Sequence, residues 1–161
     1  MRKMLTAFVL VIFVLGCNSN TAFTEYVSFN GNWEAKKKAD FLVKAPDSIN
    51  QYNIFINLRN NQEYPYSNLF LIVKMDFPDN KTHVDTLEYE MAKPDGTWLG
   101  KGFSSVKENK LWYKEKVVFP TTGTYKISVE HAMRKPGNVE GIEQLPGIVN
   151  VGINLEKALK E

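Results

Sequence analysis

A chain of 161 residues with ten glycines, seven prolines and 43% hydrophobic residues has the length and composition of one globular domain. Its 20 basic residues barely exceed its 18 acidic ones, so no strongly basic surface exists for nucleic acid. A single cysteine excludes any disulfide within the chain.

Arg2 and Lys3 precede an apolar run over residues 4–15, which ends at Gly16-Cys17. A charged start, a short apolar centre and a small residue at the cut describe an export signal. At about twelve residues the run is too short to span the roughly 30 Å hydrocarbon core of a membrane. Val14-Leu15-Gly16-Cys17 resembles the bacterial lipobox, whose cysteine is acylated and becomes the new N-terminus, so Cys17 is the expected lipid attachment site. An ordinary signal peptide with an incidental thiol is the competing reading. The expected organisation is a leader over 1–16, a lipidated tether over 17–22, a single domain over 23–157 and a frayed tail over 158–161. Arg2 and Lys3 leave with the leader, so 18 basic residues then balance 18 acidic ones. Acyl chains, at about 0.8 kcal/mol per buried methylene, hold such a protein on a membrane. Asn18-Ser19-Asn20 carries neither an aspartate directly after the cysteine nor an acidic run, which points to the periplasmic face of the outer membrane.

In the domain, residues 23–29 alternate weakly and predict a first strand, followed by Gly31-Asn32-Trp33 and a solvated turn at Lys36-Lys37-Lys38. Residues 40–43 predict a short strand ended by Ala45-Pro46-Asp47. The clearest pattern lies in 51–77. Tyr52, Ile54, Ile56 and Leu58 share one face of a period of two, and Leu69, Leu71, Val73 and Met75 repeat it. These are expected to be long antiparallel neighbours joined by the loop 59–68, with its turn formers and Pro65. Residues 84–91 predict a further strand, and Lys93-Pro94-Asp95-Gly96 a tight turn. A short helix is expected near 104–109. Residues 111–119 alternate again, with Trp112 expected in the core. Thr121-Thr122-Gly123 turns the chain into 124–134, and 148–155 give the last strand. Eight or nine strands with regular turn signals, and no long segment of period 3.6, predict an all-β fold. The expectation is an antiparallel β-sandwich, jelly-roll-like, with an immunoglobulin-like sandwich as the alternative.

Residues 96–102 resemble a phosphate-binding loop only at first sight. Three residues rather than four separate Gly96 from Gly100, and Gly102 stands where a metal-binding hydroxyl is needed. His83 and His131 are the only histidines, and neither has a second ligand at metal spacing. No Gly-x-Ser-x-Gly elbow occurs. The domain is therefore expected to be no enzyme and to need no cofactor. Asp76, Asp79, Asn80 and Asp85 offer hard oxygens within ten residues, as weak candidates for a structural calcium. Tyr64, Tyr66, Trp98 and Trp112 could stack on sugar rings. Alternatively Tyr64, Tyr66 and Trp98, helped by Arg59 and Arg134 at strand ends, form a contact surface for a protein partner.

An ordered set of segments carries a resemblance over nearly the whole domain: Tyr64-Pro65-Tyr66-Ser67, Asp85-Thr86-Leu87-Glu88-Tyr89, Gly96-Thr97-Trp98-Leu99-Gly100, Gly123-Thr124-Tyr125, Ala132-Met133-Arg134 and Leu145-Pro146-Gly147-Ile148. Together with the lipobox they resemble the gliding motility lipoprotein GldH family. The resemblance implies a role in bacterial gliding, with a link to the type IX secretion apparatus and to other envelope proteins of that machinery, and it brings no catalytic residues. A domain binding or acting on envelope glycan is the alternative function.

Overall fold

The computed structural model describes residues 20–102 and 104–159, so the leader and the expected lipid site Cys17 lie outside the described residues. Ten strands follow one another: β1 (Thr21–Ser28), β2 (Asn32–Glu34), β3 (Ala39–Lys44), β4 (Tyr52–Asn60), β5 (Asn68–Asp76), β6 (Thr82–Glu90), β7 (Lys107–Val117), β8 (Thr124–His131), β9 (Gln144–Pro146) and β10 (Ile148–Lys157). They form two four-stranded antiparallel sheets, ordered β1-β10-β4-β7 and β3-β8-β5-β6, and a small β2-β9 ribbon. Among the eight strands of the large sheets, only β5 and β6 are both consecutive and paired. Every other connection crosses from one sheet to the other, which is jelly-roll order.

The period of two does what it requires. Ile54, Ile56 and Leu58 of β4 meet Leu69, Leu71 and Val73 of β5 in one core, all with no exposed surface. Phe41 and Val43 of the edge strand β3, with Ile127, Val129, Val151, Ile153 and Leu155 of the central strands β8 and β10, add to it. Tyr125 closes one end against Phe119 and Phe77, with ring centroids 5.0 and 5.2 Å away. At the open side, Tyr89 of β6 donates to the Trp112 carbonyl of β7 at 2.6 Å, and Tyr113 of β7 donates to Asp85 of β6 at 2.8 Å. These bonds lace the edges of the two sheets together, and burial pushes the Tyr89 hydroxyl up to about 12.

Four expectations need correction. First, β4 and β5 are not neighbours: they lie in opposite sheets, and residues 61–67 carry the chain across. Two alternating patterns bury one face each whether the strands pair edge to edge or stack face to face. Second, no helix forms at 104–109, because Lys107–Asn109 already belong to β7, paired with Leu58, Arg59 and Asn60 of β4. Third, Trp112 is not core. It follows Leu111, which faces inward beside Ile56, and so it stands on the outer face with 55% of its surface exposed. Fourth, the expected frayed tail is tied down at its first residue: Lys157 pairs with Tyr52, and the Ala158 amide donates to the Gln51 carbonyl at 2.8 Å.

The β2-β9 ribbon escaped the pattern because three residues are too few to show a period. It seats Trp33, with no exposed surface, against Phe29 and the ring of His131. His131 Nε2 donates to the Trp33 carbonyl at 3.2 Å, while Nδ1 has no hydrogen-bond partner among the described residues. Burial lowers the pKa of this ring, opposed by that bond and by Glu130.

Candidate functional site

Inner faces make the core, so a function must use an outer face, an edge or an end. On β5 the outward residues are Asn68, Phe70, Ile72, Lys74 and Asp76. Phe70 and Ile72 put two large apolar side chains, half-buried, on the outside of the second sheet. After His131 the chain leaves the regular ladder. Ala132 still donates to the Phe70 carbonyl at 2.8 Å, but the Phe70 amide finds only the Met133 sulfur, at 3.2 Å. This divergence opens a groove of about 590 Å3 floored by Phe70, Ile72 and Met133 and walled by Tyr66, Arg134 and Pro136. A smaller hollow of about 270 Å3 continues past Ile72 and Ala132 towards Glu130 and Ile142. The Arg134 side chain is exposed and makes no ion pair or hydrogen bond with any described residue. An apolar floor with one unpaired guanidinium at its wall is suited to hold a partner's apolar side chain beside a carboxylate.

The structure separates the expected contact residues. Tyr64, Tyr66 and Trp98 do come together, with ring centroids 5.8 and 6.2 Å from Tyr64. Tyr64 is nevertheless core, only 2% exposed, and donates its hydroxyl to the Asn68 carbonyl at 2.7 Å. It caps the sandwich and offers nothing to a partner. Trp98 is half-buried against the same core, and Tyr66 alone of the three reaches the groove. Arg59 belongs elsewhere, on the outer face of the first sheet. Its guanidinium lies 4.7 Å from the Tyr26 ring and 3.4 Å from Glu108. Phe70, Ile72, Met133 and Pro136 were missed as site residues. Two large apolar residues, Phe70 and Ile72, on the face of β5 opposite Leu69, Leu71 and Val73 were the available signal.

The four oxygen donors near the β5–β6 turn do not converge. Asp76 takes Thr82 and Lys74, Asp79 takes Lys81 at 2.7 Å, and Asn80 forms the turn itself at φ +64°. Asp85 is bonded by Tyr113, Lys114 and His83 at 2.8, 2.8 and 3.0 Å. Burial raises the Asp85 carboxyl, but Lys114 and Tyr113 outweigh it and hold the group below its ordinary range. Among the described residues no group of three or more His, Cys, Asp or Glu side chains is placed to hold a metal ion.

Sheet order and a groove on one outer face define the protein as a jelly-roll domain of two antiparallel layers. The chain belongs to the GldH lipoprotein family, whose profile matches residues 21–155. A gliding motility lipoprotein GldH homolog of Christiangramia forsetii is 45% identical over 161 residues, covering 98% of this chain and 99% of its own. The gliding motility lipoprotein GldH of Flavobacterium johnsoniae is 44% identical over 146 residues, covering 91% of each chain. Membership of a lipoprotein family makes this a lipid-anchored protein of the cell envelope. Among solved structures, the VP2 subviral particle of infectious bursal disease virus is 11% identical with a TM-score of 0.40, over 83% of this chain and 32% of that one. The insecticidal delta-endotoxin Cry8Ea1 of Bacillus thuringiensis is 14% identical with a TM-score of 0.42, over 84% and 20%. The chain thus spans a third or less of those proteins, and neither likeness carries an argument about what it does.

Proposed function

We propose that this protein is a non-catalytic docking module of the gliding machinery. It is anchored through Cys17 to the periplasmic face of the outer membrane and works alongside the type IX secretion apparatus. The groove beside Arg134 is its contact with a partner envelope protein. The observation that carries this reading is the half-buried Phe70 and Ile72 on an outer face, next to a cation without a partner among the described residues. Catalysis finds less support. The His131 ring is enclosed beneath Trp33, and His83 is bonded to an Asp85 already engaged by Tyr113 and Lys114. A glycan platform would need open aromatic faces, and of the four aromatics considered only Trp112 is more than half exposed.

Interface anchors are typically worth about 2 kcal/mol or more each, a factor of about 30 in Kd. Arg134→Glu reverses the charge at the wall, and Ile72→Lys places a cation on the apolar floor. Both side chains lie outside the core, so each variant is expected to melt within a few degrees of wild type and to reach normal levels in cells. Each is also expected to abolish gliding in a strain carrying it as the only copy. Normal gliding by both variants would remove the groove from the account.

A further inference from the structure

The two ends of the sandwich are chemically unequal. β1 begins at Thr21, opposite Glu156 of β10, and the Lys157 amide donates to the Asn20 carbonyl at 2.8 Å. The domain is therefore pinned by backbone pairing from its first residues. Three residues take the chain from Cys17 to Asn20, a reach of about 10 Å at most. Whatever holds Cys17 lies within that distance of this end.

Large apolar side chains gather there. Ile49 is 86% exposed and Leu159 78%, and with Val118 they border a shallow hollow of about 440 Å3, together with Lys116 and Lys157. A second hollow of about 340 Å3 shares Lys157 and Leu159 and climbs the outer face to Trp112, whose ring packs 4.4 Å from Phe55. Ile49 is held outward by design of its loop. The Asp47 carboxylate accepts from the Ile49 amide at 2.8 Å, from the Asn50 amide at 2.6 Å and from the Tyr52 hydroxyl. The loop is thus a fixed projection with an aliphatic tip. Lys110, beside Trp112, is paired with Glu156 at 2.7 Å, so this face asks for apolar contact more than for opposite charge.

We propose that this end of the sandwich rests on the bilayer, with Ile49, Val118 and Leu159 in the headgroup layer and Trp112 at its upper edge. The inference depends on lipid attachment at Cys17. Aliphatic tips enter the interfacial layer, indole rings favour its boundary, and lysine stems reach back out to water. Strands of nine or ten residues at about 3.3 Å each then carry the Arg134 groove some 30 Å away, facing the periplasm.

The test uses the full lipidated protein in phosphatidylethanolamine–phosphatidylcholine vesicles. Acylated Cys17 offers no thiol, so Ile49→Cys, Leu159→Cys and Val139→Cys each accept one fluorescent label. Val139, 85% exposed, lies in the loop after Arg134 at the opposite end. Nitroxide-bearing lipids are expected to quench the labels at 49 and 159 severalfold more than the label at 139. Equal quenching at all three positions, in protein that floats with the vesicles, would overturn the orientation and leave the anchor standing. Protein that does not float at all would overturn both.

Discussion

Ile56→Asp abolishes the cooperative melting transition of the domain at neutral pH: this is the expected result of the harshest test of the core. Ile56 sits at the centre of the first sheet, between Ile153 of β10 and Leu111 of β7, with none of its surface exposed. An unpaired carboxylate there loses its hydration and gains no partner. That costs several kcal/mol against a total stability of about 5–15. Asn57→Asp, one residue along and on the outer face, is the control. Asn57 is itself only 7% exposed, covered by Tyr26, whose hydroxyl accepts from its Nδ2 at 3.0 Å. A carboxylate there gives up that bond, about 1–3 kcal/mol, and part of its hydration, but the opposing Lys110 of β7 offers a countercharge that the core around Ile56 lacks, so the domain keeps a melting transition. Circular dichroism of the two variants decides the matter, and equal losses would mean that the faces of β4 are misassigned.

The second large effect is expected from a single methyl group. Gly147 joins β9 to β10 at φ +84°, donates to the Gly31 carbonyl at 2.7 Å and accepts from the Asn61 amide at 2.8 Å. A Cβ built on it would stand 2.2 Å from the Tyr64 nitrogen and 2.5 Å from the Tyr64 Cα. Backbone cannot step aside as a flexible side chain would. Gly147→Ala therefore combines left-handed strain of about 1–2 kcal/mol with overpacking of about 1–3. Gly137 offers the matched control, at φ +81° with nothing within 4 Å of its would-be Cβ. Gly137→Ala should show the strain alone. At roughly 4 °C per kcal/mol for a domain of this size, Gly147→Ala should melt well below Gly137→Ala. Similar melting temperatures for the two would mean that the crossing of the 61–67 segment over Gly147 is drawn wrongly.

Sandwich class was legible because nearly every long strand writes a period of two into its residues, from Ile54-Ile56-Leu58 to Tyr125-Ile127-Val129. Strand pairing was not, because that period fixes which face is buried and says nothing about which sheet a strand joins. Trp112 and Tyr64 were exchanged for the same reason. A tryptophan in a strand looks like core and a tyrosine in a loop looks free. But register turns Trp112 outward, and the crossing segment drives Tyr64 into the end of the sandwich. Part of the site was legible: Tyr66 and Arg134 were chosen from residue type and position at loops and strand ends. Its floor was not, since Phe70 and Ile72 become a groove only where β8 parts from β5 beyond His131.

The central claim is that the outer face of the second sheet, near Arg134, touches another protein in the living cell. A photoreactive amino acid placed at residue 72, on the groove floor, tests it most directly, with the same group at residue 126 on the same face as reference. Lys126 lies towards the other end of β8, paired with Asp76 and bonded to Asp40 at 2.8 Å. Irradiation of gliding cells is expected to join position 72 to one discrete envelope protein and to leave position 126 largely unlinked, and Arg134→Glu should erase the position 72 product. Identical products from both positions, or none from position 72 while the cells glide normally, would contradict the account.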